Sequence, residues 1–147
     1  RLKCLWFKAG APEGTGYPGS DSIRVRRNIM AATEITVTRV EKEKVVAIPT
    51  TAAVDTADGA AVDWNCADGK LLLIVENADS AAAKSATVVN GGGLQGMGDL
   101  VLSIAQSSKM AIVLDSGKYK QVGGTSKGKL WIKGEDANIK VAAMKLA

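Results

Sequence analysis

The chain reads as an all-β domain: an antiparallel β-sandwich of about eight to nine short strands, in jelly-roll or Ig-like order. Three observations predict this. Short apolar or alternating segments recur at near-regular spacing, with Gly and Asp turns between them, as in sandwiches and barrels. Aromatic residues make up only 4% of the sequence while Ala, Val, Gly and Thr are plentiful, which suits a thin core of small and β-branched side chains. Finally, Leu71-Leu72-Leu73-Ile74-Val75 is a run of five large aliphatic residues closed by Gly69-Lys70 and Glu76-Asn77. It is too short for a buried helix and does not alternate, so it predicts a central strand covered on both faces.

Residues 1–29 stand apart from this pattern. Pro12, Gly14, Gly16, Pro18 and Gly19 mark a loop without periodicity. The apolar stretch near Leu5-Trp6-Phe7 lacks the length and the small-residue site of a secretory signal. Met30-Ala31-Ala32-Thr33 has the look of a protein start, and Arg26-Arg27 before it can be encoded by a purine-rich ribosome-binding site read in frame. We therefore expect a disordered leader of translated upstream sequence over 1–29, and a single sandwich domain over 30–147.

In the domain, Glu34 to Val40 alternates strictly and predicts a half-buried strand. Val45-Val46-Ala47-Ile48 predicts a second, ended or placed at an edge by Pro49. Trp64, in a short segment from Val62 to Asn65, either covers one end of the core or serves as an exposed anchor in a protein interface. Ser85 to Asn90 predicts a strand paired with the central run as a hairpin. Gly91-Gly92-Gly93-Leu94-Gln95-Gly96-Met97-Gly98-Asp99 lacks the Lys-Ser/Thr ending and following helix of a phosphate loop. Its apolar tip, Leu94 and Met97, either folds onto the sandwich end or is offered to a neighbour. Strands are then expected at 100–104, 109–114, 118–122, 129–133 and 138–146.

The chemistry points away from catalysis. There is no His, which removes the commonest general base and metal ligand and makes a Ser-His-Asp arrangement impossible. Asp55, Asp58, Asp63 and Asp68 do not have the spacing of a calcium loop. Cys4 and Cys66 form no metal motif and read as free thiols. Residues 1–29 hold six basic against two acidic side chains, so the net +4 belongs to the leader and the remaining 118 residues are neutral. Neither nucleic acid nor a membrane is an expected partner, since no run of apolar residues reaches about 18. No cofactor is expected.

Residues 71–146 also carry a resemblance. An apolar strand ends in Val75-Glu76-Asn77, and Thr87-Val88-Val89 and Gly93-Leu94-Gln95-Gly96 follow. Then come Ala111-Ile112-Val113-Leu114-Asp115-Ser116-Gly117-Lys118-Tyr119-Lys120, Lys129-Leu130-Trp131-Ile132 and a closing Asn138-Ile139-Lys140-Val141-Ala142-Ala143. This order resembles small β-sandwich capsid decoration (cement) proteins encoded beside the major capsid gene in tailed phages and prophages of Gram-positive bacteria. The resemblance implies a non-enzymatic structural virion protein, made in the bacterial host cytoplasm and bound to the capsid exterior. Its partner would be the major capsid protein, with a homotrimer at lattice threefolds as the implied assembly. The alternative is a phage tail, baseplate or adhesin-type module binding a host glycan through Trp64, Tyr119 or Trp131. The candidate interface residues are Leu94, Met97 and Trp64.

Overall fold

The computed structural model describes residues 32–96 and 98–147; the expected leader and Met97 lie outside them. The strands are β1 (Thr33–Ile35), β2 (Val37–Val40), β3 (Ala52–Ala53), β4 (Ala60–Asp63), β5 (Leu71–Asn77), β6 (Lys84–Val88), β7 (Leu100–Ile104), β8 (Lys109–Val113), β9 (Lys129–Gly134) and β10 (Ile139–Leu146). One helical turn, α1 (Ser116–Tyr119), and a 3-10 turn at Gly124–Ser126 complete the set. The front sheet runs β1-β4-β9-β6-β7, and the back sheet runs β2-β10-β5-β8 with β3 also on β10.

The pairing is nested. β3 pairs with β10, β4 with β9, β5 with β8 and β6 with β7, all antiparallel. Each sheet is then knitted by a second antiparallel contact, β5 with β10 behind and β6 with β9 in front. A ribbon whose first strand meets its last, and whose second meets the next to last, is a rolled hairpin. Of the two orders the sequence leaves open, the jelly roll is the one observed.

Several expectations need correction. The sheets are mixed, because the first segment breaks at Thr36: β1 joins β4 and β2 joins β10, both parallel. The switch carries the chain from the front sheet to the back and closes one side of the sandwich. The hairpin expected between β5 and β6 is a crossover between sheets. Val45–Ile48 forms no strand, since β2 and β3 already occupy that edge of β10. Lys118–Val122 is no strand either. Asp115 accepts a hydrogen bond from Gly117 N and caps α1 instead, leaving only a single bridge from Lys120 to Leu130.

The core follows from the two-residue period. On β5, Leu71, Leu73, Val75 and Asn77 point inward and are buried, while Leu72, Ile74 and Glu76 point outward and are half-buried. Leu130 and Ile132 of β9, Ala86 and Val88 of β6, and Ile139 and Val141 of β10 complete the interior. Each buried Leu, Ile or Val contributes about 1.5–3 kcal/mol.

The two outer faces differ. By register, the front face carries Glu34, Ala61 and Trp131 in one row, and Asp63 beside Lys129 in the next. Lys133, Thr87 and Val101 lie further along. Lys129 pairs with Glu34 and, at 3.8 Å, with Asp63, and its ammonium is held above the usual lysine range chiefly by the Glu34 hydrogen bond. The back face is apolar in its first two rows, Thr38-Met144-Leu72-Val113 and Ala142-Ile74-Ala111, and charged in the third, Lys140-Glu76-Lys109. The connector 41–51 packs over part of it. The Thr51 hydroxyl donates to Glu76, and Pro49 and Thr50 line a depression with Thr38 and Ala142.

Candidate functional site

The connections 64–70, 89–99 and 114–128 gather at one end of the sandwich, where β4, β6 and β8 finish and β5, β7 and β9 begin. Their backbones are tied to one another. Gly91 N donates to Lys118 O at 2.8 Å and Gly91 O accepts from Val122 N at 3.0 Å, while the Gln121 side-chain amide donates to Asn90 O at 2.9 Å. Ser116 N donates to Asp68 Oδ1 at 2.7 Å, joining 64–70 to the start of α1. Trp64 N donates to Gly128 O, and Gly128 N to Gln121 O. Long loops are usually mobile; these bonds tie the three connections to one another where they cross.

Glycine makes the approach feasible at two points. A Cβ on Gly91 would lie 2.2 Å from Lys120 O, and one on Gly117 would lie 2.3 Å from Gln95 Oε1. The Gly-rich loop therefore packs against α1 and its exit, and lifts Leu94 into solvent. Leu94 is fully exposed and Val122 is 56% exposed. They border one shallow depression with Gly92, Gln95 and Gly117. A second depression shares Gly117 and Val122 and adds Lys120 and Lys127. Apolar tips beside lysine ammonium groups suit a protein surface that offers an apolar pocket rimmed by carboxylates.

Of the three expected interface residues, Leu94 stands at this apex and Met97 lies outside the described residues. Trp64 is corrected: it is 2% exposed and belongs to the core, because it follows β4 directly and turns inward beneath the loops. Its indole N–H is buried without a hydrogen-bond acceptor among the described residues. Tyr119 also packs against the core. Val122 was hidden from sequence reasoning by the strand expected over 118–122; the Gly123-Gly124 pair after it is the signal that the segment ends in a loop.

The acidic residues serve the backbone. Asp55 accepts from Ala57 N and Asp58 N, and Asp136 from Asn138 N. Lys84 lies 3.1 Å from Asp136 and 3.8 Å from Asp79. Among the described residues, no group of three or more His, Cys, Asp or Glu is placed to hold a metal ion. Cys66 is a half-buried free thiol.

These contacts set the acid response. The Asp58 and Ala57 amides hold Asp55 below the usual carboxylate range, and the Ser116 amide does the same to Asp68. The Thr51 hydroxyl acts likewise on Glu76, the Ser85 amide on Glu135 and Lys84 on Asp136. Each group is easier to ionise folded than unfolded. Its contribution is present at neutral pH and disappears as pH falls below about 4. With no His to titrate, the thermal midpoint read by circular dichroism is expected to stay level between about pH 5 and 8 and to drop below about 4. A midpoint that rises on acidification would contradict these contacts.

Comparison of the chain with protein-family models, curated proteins and solved structures returns no match.

Proposed function

We propose that the chain is a non-enzymatic virion component that decorates the outside of a capsid lattice, made in the bacterial host and docked through the loop apex. The observation that carries this reading is Leu94, fully exposed at the tip of connections whose backbones are hydrogen-bonded in place. A pre-shaped apolar tip loses little conformational freedom on docking. Repetition of the site over a symmetric shell lets each contact be modest. The resemblance of residues 71–146 to capsid decoration proteins points the same way. The glycan-binding alternative has less to work with, because Trp64 is buried and Tyr119, half-buried like Trp131, packs against the core.

The test is co-sedimentation with empty capsids of the phage or prophage whose genome carries the gene, run beside cell-wall preparations. The chain is expected to pellet with capsids. Leu94→Ser is expected to weaken that binding about tenfold or more, the equivalent of leaving one Leu unburied. Pelleting with cell walls in place of capsids would support the adhesin reading, and an unaffected Leu94→Ser variant would remove the apex from the contact.

A further inference from the structure

The outer face of the back sheet is largely apolar in two neighbouring rows. Leu72 and Ile74 of β5 face outward and are half-buried, Ala111 and Val113 of β8 are exposed, and the connector above β10 exposes Val45 completely and Ile48 at 76%. The run Leu71–Val75 has the composition of a strand covered on both sides. Among the described residues, its outward side is covered only in part. The front face, by contrast, sets Glu34, Lys129, Asp63 and Lys133 among Trp131, Thr87 and Val101, so no two of its rows are free of charge.

We infer that this strip of β5 and β8 is the contact between two copies of the chain, related by a two-fold axis running along the strands. Register selects the occupant and the symmetry. Such an axis, placed between β5 and β8, sets each row against the same row with the strands exchanged. Ile74 then faces the second copy's small Ala111, and Ala111 faces its Ile74. Leu72 faces Val113, and the Glu76–Lys109 ion pair, already formed within each chain at 3.2 Å, meets its own copy with the signs exchanged. Large meets small in the dry row and acid meets base in the charged row, without a like-charge pair. A perpendicular axis would press Glu76 and Lys109 onto Leu72 and Val113 and bury unpaired charge. A self-complementary strip of this kind makes a pair, in place of the homotrimer implied by the resemblance. It also leaves both loop apices at one end, pointing the same way.

Sedimentation equilibrium of the full chain across micromolar to hundred-micromolar concentration tests this without any capsid. The expected species is twice the 15.2 kDa of one chain. Ala111→Lys, on an edge strand that tolerates lysine, is expected to weaken association more than about a hundredfold while circular dichroism stays unchanged. Leu94→Lys at the apex is expected to leave association intact. A monomer throughout, as would follow if residues 1–31 occupied the strip, overturns the inference. So does a three-copy species, or a pair that survives Ala111→Lys. Capsid binding is a separate readout, so failure here leaves the function proposed for the apex standing.

Discussion

Asn77→Asp is expected to remove about 3–5 kcal/mol of stability at neutral pH, although the two side chains have nearly the same shape. Asn77 is fully buried at the inward end of β5. Its amide nitrogen donates to Ala82 O at 2.9 Å, Ile104 O at 3.1 Å and Ala105 O at 3.3 Å, and its Oδ1 accepts from Asp79 N at 3.0 Å. One side chain thus binds the β5–β6 crossover and the β7–β8 turn together. Aspartate would retain the acceptor and replace the donor with a charge aimed at three carbonyl oxygens. The folded state would hold that carboxyl protonated to higher pH than the unfolded state does. The deficit relative to the parent chain is therefore small near pH 4, grows as pH rises and levels off above the raised folded pKa. Urea melts of both proteins across that interval measure it. A gap under about 1 kcal/mol, or one independent of pH, would mean that the three carbonyls do not depend on Asn77.

Gly91→Ala is expected to cost about 3 kcal/mol and to abolish pelleting with capsids, at the upper end of what one added methyl group does. The reason is the kind of atom it meets. A flexible side chain can swing away, but here the Cβ would come within 2.2 Å of Lys120 O and 2.7 Å of Lys120 C. That backbone is pinned on both sides of the contact, by the bonds from Gly91 N to Lys118 O and from Val122 N to Gly91 O. Relief requires breaking the ties that hold Leu94 and Val122 where they are. Gly123→Ala serves as the control: nothing lies within 4 Å of its Cβ and its backbone is extended at φ −138°. It should change stability by less than about 0.5 kcal/mol and leave pelleting unchanged. If both variants behave alike, the apex does not rest on the Gly91 contact.

What was legible in the sequence and what was not divide along physical lines. The run Leu71–Val75 declared an inner strand of its sheet, which it is, between β10 and β8, although its outward residues Leu72 and Ile74 are half-buried where the run predicted full cover. Ile139, Val141 and Ala143 declared their shared face because the strand period is local. The glycines around Leu94 and Met97 marked an apolar loop tip but left open whether it folds back or stands out; the structure leaves Leu94 fully exposed, and Met97 lies outside the described residues. Other features depend on neighbours distant in sequence. Thr36 gives no sign that the chain changes sheets there; the switch exists because both β4 and β10 have edges to offer. Val45–Ile48 has strand composition but finds the edge of β10 occupied. Asp115-Ser116-Gly117 suits a turn or a helix cap equally, and the contact of Ser116 N with Asp68 accompanies the cap. Asn77 looked like the residue closing a strand, when it is the strand's last inward position and the polar hub of that end. Trp64 left its role open, and burial beneath three loops decided it.

The parallel partnership of β2 with β10 has one more consequence. Val37 sits beside Ala143 and Val40 beside Leu146, so the second strand of the fold and the last one run in the same direction. Tension drawn between the two chain ends pulls these strands past one another lengthwise. Their cross-links must then yield together instead of peeling in sequence, which makes this seam a mechanical clamp against force applied along the strands.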